Sequence, residues 1–471
     1  MSQLSGLSSA HGLSAADKEV IEDLVSVYDN VQQRNKKLRN YYEGDIKVED
    51  FGITIDPNKL QNDQVCDWPA QAVDALDQLI SLDGFVNEDG EHDVVLDQIV
   101  RENNIIGNYQ KYKKTMMIDG CMAAVVNNAD DKVEVKFHSA ATFAAIPDGN
   151  HDSGKIAAGF VIARTSKVTW SGVPEPTAVN VYLPGRIIKM ERFATAIWSA
   201  VAYEVPEQDP LMFIFAYNAD GMKPFGRSRI TKSVMSLTRD AVRTMWRMEV
   251  AAAYYSIPKL AVLGLTDEQF EEMQGSKWKV QADGVNLFTR DENGNVPTLQ
   301  QIASNSPQPF IDELDKLAGM LSGSTGVPLT DLGVASTTYT SSASSSASRE
   351  KLQKCAQDQI DSDTRVLERV AVAAMAVAEG GAVEDLDEKR RTVTADFADT
   401  NATSRAAMAD AGVKLCSVAP WFAQTDLFLK WQGFKNADIM QVRRARDSYE
   451  TSAALDALVQ SSLDQSAAEA V

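Results

Sequence analysis

Between Arg227 and Tyr255 the apolar positions Val234, Leu237, Ala241, Met245, Met248, Ala252 and Tyr255 step by 3, 4, 4, 3, 4 and 3. That spacing makes one continuous apolar seam and predicts a single long amphipathic helix. At about 100° per residue, Lys232, Arg239, Arg243 and Arg247 fall within about 80° of one another, on the face opposite the seam. The positive charge is therefore ordered along one face of a long rod, not merely abundant.

The positive face stands out because the chain is acidic, with 66 Asp and Glu against 46 Lys and Arg and a formal net charge of −20. A protein that grips nucleic acid through its overall field needs an excess of cations to displace phosphate counterions, so that mode is disfavoured. A surface past which DNA slides without being held is compatible with net negative charge. A second helix, PQPFIDELDKLAGML, places Phe310, Leu314, Leu317 and Leu321 on one face and the acids Asp312, Glu313 and Asp315 away from it. The basic stripe then has three readings: a nucleic-acid face, a solvated helix face, or one half of a charged contact with an acidic neighbour such as the Asp312 helix of another copy.

Around these two helices the patterning changes in blocks. Residues 14–42 read as a helix capped by Ser14 and ended by Gly44, and WPAQAVDALDQLISLDGF as another with Pro69 in its first turn. A further helix is expected over 94–117. From about 120 to 216, short β-rich runs such as CMAAVVNN, KVEVKF, GFVIARTS, AVNVYL and RIIKMERF alternate with turn residues and predict a meandering sheet. Between the two long helices, IPKLAVLGL and its sequel suggest a small α+β insert. After them comes GSTGVPLTDLGVASTTYTSSASSSAS, with one acid and no base, whose centre reads as a mobile loop. A long helix then runs from SREKLQKC to Glu379, with Asp363 interrupting its apolar face, and the remainder looks helical.

No pattern for catalysis is present. There is no Walker A sequence, no GxGxxG after a strand, no HExxH and no GxSxG. The cysteines Cys66, Cys121, Cys355 and Cys416 stand singly, as buried or idle thiols would, and His11, His92, His138 and His151 are too far apart in sequence to suggest a site. No catalytic residue, metal site or cofactor is therefore expected. The first residues lack a basic and an apolar signal region, and no apolar run is long enough for a membrane span.

The order of segments resembles the portal proteins, or head-to-tail connectors, of tailed bacteriophages with long non-contractile tails. The resemblance is carried by NYYEG (40–44), AVDALDQLISLDGF (72–85), KPFGRSRI (223–230) with its following helix, IPKLAVLG (257–264) and TGVPLTDLG (325–333), and it covers about residues 15–445. It implies an α+β, predominantly helical subunit with wing, stem, clip and crown, forming a ring of twelve subunits. Segment by segment it implies a wing over 1–226, a first stem helix over 227–255, a clip over 256–306, and a second stem helix over 307–324. A tunnel-loop region over 325–345, a long wing helix over 346–383 and a crown over 384–471 would follow.

The same resemblance implies a virion protein at one capsid vertex, assembled in the host bacterial cytoplasm, through which double-stranded DNA is packaged and later ejected. Its partners would be further copies of itself, the terminase large subunit, a head-completion adaptor, scaffold and major capsid protein, with no membrane. Thr337, Thr338, Tyr339, Thr340, Ser341, Ser342, Ser344 and Ser345 would lie in the tunnel loop. Lys232, Arg239, Arg243, Arg247, Asp312, Glu313 and Asp315 would make subunit contacts in the stem. Another structural virion component, such as a scaffold or capsid subunit, and an enzyme with an unrecognised site are the competing classes.

Overall fold

The computed structural model describes residues 4, 6–46, 64–87, 93–129, 132–149, 154–166, 175–192, 197–255, 260–263, 298–301, 306–333, 342–400, 405–434, 438–449 and 451. Residues 51–57 (FGITIDP) and most of the insert between the two long helices lie outside them.

Helix α1 (Ala15–Glu43) starts where the sequence places it: the Ser14 hydroxyl accepts from the Asp17 N–H at 3.2 Å, and Gly44 ends it at φ 76°. Ile21, Leu24 and Tyr28 are buried, and Leu4, Leu7 and Ala10 of the preceding segment pack into the same core. Helix α2 (Trp68–Asp77) is followed by strand β1 (Leu82–Val86). The single helix expected over 94–117 is two, α3 (Val94–Glu102) and α4 (Ile105–Asp119), broken at Asn104, whose φ of 48° leaves the helical region. Asparagine tolerates this left-handed conformation, so the adjacent Asn103 and Asn104 can punctuate a pattern that periodicity alone reads as continuous.

The β-rich block forms β2 (Cys121–Ala129), β3 (Lys132–Ser139), β4 (Phe143–Pro147), β5 (Ile156–Thr165), β6 (Pro176–Leu183), β7 (Arg186–Arg192), β8 (Trp198–Glu204) and β9 (Met212–Ala216). They divide into two antiparallel sheets, of order β4-β5-β6-β7-β8 and β3-β2-β9. Phe160, Val179, Val181, Ile188 and Met190 of the larger sheet join α1 and the N-terminal segment in one core. Met122 to Val126 of β2 and Phe215 of β9 belong to the main core, with α2, α4 and the long helices.

Helix α5 (Lys232–Tyr255) leads to strands β10 (Leu260–Leu263) and β11 (Thr298–Gln301), which pair antiparallel at the root of the insert. Helix α6 (Gln308–Thr325) returns along α5. Helix α7 (Ser342–Glu379), 38 residues long, packs on β2, β3 and β9 and buries Leu352, Ala356, Ile360, Leu367, Val370 and Ala374.

The remainder is not uniformly helical. After the short α8 (Glu388–Arg391), strand β12 (Thr394–Phe397) pairs antiparallel with β1, setting Phe85 opposite Ala395. Val393 and Ala395 are buried in the main core, and the Phe397 ring meets Tyr109 edge-on at 5.9 Å. Alternation at 393, 395 and 397 is a strand signal, and the helical expectation overlooked it. Helices α9 (Arg405–Val418), α10 (Asp426–Trp431) and α11 (438–449) follow, with Val413, Val418, Trp421, Leu427 and Tyr449 exposed. Among the described residues no helix is long and apolar enough to cross a membrane.

Candidate functional site: the paired long helices and the approach to α7

The KPFGRSRI stretch is a tight turn that launches α5. Asp220 Oδ1 accepts from the N–H groups of Met222 (3.0 Å) and Lys223 (2.8 Å), and its other oxygen pairs with Arg227. Gly226 sits at φ 73°, where a Cβ would stand 2.4 Å from the Tyr217 carbonyl and 2.7 Å from that of Gly120. Only glycine fits there.

Arg229 is buried at 6% exposure, and the sequence reading missed it. Its Nη1 donates to the Tyr217 hydroxyl at 2.7 Å, its Nη2 to the Thr325 carbonyl at 2.9 Å, and its Nε to the Ala72 carbonyl. One guanidinium thus ties α2, the chain after β9 and the last turn of α6 together. A cation against the final carbonyls of α6 also complements the negative end of that helix's dipole. Periodicity gives no signal for it, because Arg229 precedes the first residue of α5, Lys232.

Along α5, Val234, Leu237 and Ala241 of the expected seam are buried, and burial extends over Val242, Trp246 and Val250. Helix α2 packs against α5 and α6 runs beside it, so this helix is covered on more than one side. Lys232 and Arg239 are exposed. Arg243 is half-buried: Nη1 lies 3.5 Å from Asp240, while Nε is buried with no hydrogen-bond partner among the described residues. Arg247 Nη2 donates to Glu313 of α6 at 3.2 Å and to the Thr244 hydroxyl at 3.0 Å. Asp312 accepts from Gln308 at 2.7 Å, and Asp315 is exposed. Of the seven charged candidates, the fold brings Arg247 and Glu313 together within one chain and leaves Lys232, Arg239, Asp312 and Asp315 on the surface.

After α6, Gly326 takes φ 78° and a 3-10 turn over Leu329–Leu332 buries Leu332 before Gly333. Arg349 Nη2 lies 3.5 Å from Asp331 across this turn. Thr337, Thr338, Tyr339, Thr340 and Ser341 lie outside the described residues. Ser342, Ser344 and Ser345 fall in the first turns of α7, which begins four residues before the expected 346. The run SASSSAS holds no Gly or Pro, and its alanines favour extension of the helix. Among the described residues no group of three or more His, Cys, Asp or Glu side chains is placed to hold a metal. A cavity of about 400 Å³ between residues 216–219, the start of α5 and α7 is lined by Arg229 and Lys351 but also by Asp358, so it does not form a cationic cradle.

A family model described as "Phage portal protein, SPP1 Gp6-like" matches residues 22–418, which takes in both sheets, the paired helices and α7. The chain belongs to this portal family. It is a portal protein, a connector of the bacteriophage virion, and the family is a structural one. No curated protein matches the chain. A solved structure similar to this portal subunit is titled "Neck of native GTA particle computed with C12 symmetry", at 13% identity and a TM-score of 0.36, covering 74% of this chain and 84% of that one.

Proposed function

We propose that twelve copies of this subunit close into a ring at one capsid vertex, and that double-stranded DNA passes through its axial channel during packaging and ejection. The family match across residues 22–418 carries the reading. It is supported by two long helices whose exposed charges differ in sign, since a head-to-tail contact between unlike faces closes into a ring when its rotation allows. The surface-exposed Arg239 and the half-exposed outer part of the Arg243 side chain on α5 are offered to Asp312 and Asp315 of a neighbouring copy. The exposed apolar side chains of α9 to α11 likewise need a cover, which a second copy supplies.

In this reading residues 1–226 form the wing, 227–255 and 307–324 the stem, and 256–306 the clip, to which the terminase large subunit and then a head-completion adaptor dock. Scaffold and major capsid protein surround the ring during assembly in the host bacterial cytoplasm. Residues 325–345, from the last residue of α6 to the first turn of α7, are the tunnel-loop region, 346–383, which holds the rest of α7, the long wing helix, and 384–471 the crown, whose first residues, through β12, are anchored in the main core. The portal performs no catalysis, and the energy for packaging comes from the terminase.

The approach to α7 is suited to a sliding contact. Between Leu332 and Ser348 there is no charged side chain, and Ser, Thr and Tyr339 offer short neutral groups that release no counterions from phosphate. The test is a packaging assay with Ser344→Lys and Ser345→Lys together, with ring integrity checked by electron microscopy. Intact rings that package slowly or trap DNA are expected. Full packaging would remove this segment from the channel.

A further inference from the structure

The middle of α7 is held by polar groups in the protein's main core. Asp363 is fully buried, and its Oδ2 accepts from the Tyr109 hydroxyl of α4 at 2.6 Å. Its Oδ1 accepts from Nε2 of Gln359, one turn earlier on α7, at 2.8 Å. Gln359 Nε2 also donates to the Ala216 carbonyl at the end of β9, at 3.3 Å. Tyr109 is itself fully buried, with Phe215 and Phe397 against its ring. This chain of hydrogen bonds ties α4, β9 and α7 together at one point.

Among the described residues, the buried ammonium that acts on this cluster is committed elsewhere. Lys113 of α4, 2% exposed, donates to the carbonyls of Asp77 and Ile80 and lies 3.3 Å from the Asp77 carboxylate. Lys114 joins it on Asp77 from the solvent side. Asp363 thus has two neutral donors and no ion pair of its own among the described residues. The groups acting on it are Tyr109 and Lys113 from α4 and Gln359 from α7 itself, with Asp77 of α2 acting on Tyr109 and Lys113. From β9 the contact is the Ala216 carbonyl, through Gln359, and from β12 the Phe397 ring, through Tyr109.

We propose that Asp363 is a proton-operated latch on α7: neutral, it joins α4 to α7 without burying a charge, and ionised, it leaves an unpaired carboxylate in the core and loosens that seam. The latch lies about 30 Å along the helix from its first turn, where the approach from α6 arrives. A change in the grip on the middle of α7 is therefore transmitted by a rigid rod to that end. The device resides within one subunit and does not depend on ring closure.

Burial pushes the Asp363 carboxyl up to about 7, against the lowering effects of the Tyr109 and Gln359 hydrogen bonds and of Lys113. A carboxyl whose folded value is raised binds its proton more tightly in the closed state. Its stabilisation is complete below the ordinary carboxylate range and is lost as pH rises towards 7. One such proton changes the opening equilibrium by at most about tenfold per pH unit in that window, and the effect levels off above it.

The experiment measures opening of the α4–α7 seam in the full-length protein by hydrogen exchange from pH 4.5 to 8, corrected for intrinsic exchange, in wild type, Asp363→Asn and Tyr109→Phe. Asp363→Asn, a neutral mimic of the protonated form, should show a flatter profile, with the difference from wild type growing by up to about tenfold per pH unit and levelling off near 7. Tyr109→Phe removes a donor to the ionised form and should move the wild-type levelling point to higher pH, a shift that mere loss of packing would not produce. An infrared carbonyl band of a protonated buried acid should be present at pH 6 in wild type and lost in Asp363→Asn. Parallel profiles for Asp363→Asn and wild type, or an unmoved levelling point in Tyr109→Phe should the first variant not fold, would overturn the proposal.

Discussion

Arg247 on α5 reaches Glu313 on α6 at 3.2 Å, so the basic and acidic helices meet inside one chain. Both side chains are about a third or more exposed, at 35% and 43%. A pair in that setting contributes only about 0.2–1 kcal/mol, so its main effect is to set the register of the two helices. Lys232 and Arg239 on one helix and Asp312 and Asp315 on the other remain exposed.

Reversing Arg239 and Arg243 to Glu should impair ring assembly, and adding Asp312→Lys and Asp315→Lys should partly restore it. Each contact is worth about 0.2–1 kcal/mol, but the contact recurs at every boundary of a ring. Sedimentation across a salt series reads the outcome. Normal rings from the double-Glu variant would assign these arginines to solvent.

Gly226→Ala should destabilise the folded subunit by about 1–3 kcal/mol from its positive φ alone. Contact with the Tyr217 and Gly120 carbonyls adds to that cost, because both belong to the backbone that joins β2 and β9 to α5. Thermal unfolding measures it. A variant as stable as wild type would contradict this geometry.

Arg229→Met should cost about 3 kcal/mol or more, because it strands the Ala72 and Thr325 carbonyls and the Tyr217 hydroxyl in the core. Lysine, which cannot span three separated acceptors, should rescue little of that loss. Urea unfolding of both variants provides the comparison.

The long helices were legible because their information is local: a seam at helical spacing, a Ser14 cap and a Gly44 stop survive without knowledge of neighbours. What stayed hidden depends on distant partners. Arg229 reads as one more surface cation until Ala72, Tyr217 and Thr325 converge on it, and Asp363 reads as a flaw in an apolar face until Tyr109 is brought beside it. Strand β12 is short and follows helical sequence, and its pairing with β1, more than 300 residues earlier, has no local trace beyond three alternating apolar positions. The likeness to portals rested on the order of weak segments, which a single-residue reading could not supply.

His138 on β3 is held neutral, with its value pushed down to about 4 by burial and by the nearby Lys136 charge. A histidine with a depressed folded value stabilises the protein above its ordinary range, and that contribution is lost as pH falls from about 6.5 through 4. His138→Gln should therefore flatten the decline of the unfolding free energy from urea titrations between those limits, by on the order of 3 kcal/mol at the acid end. An unchanged slope would mean that His138 titrates normally.

Electron microscopy of the purified full-length protein, alone and with scaffold protein, tests the central claim most directly. Closed rings with an axial channel and twelve-fold class averages are the predicted result. Monomers or open chains at every salt concentration, with and without scaffold, would contradict it.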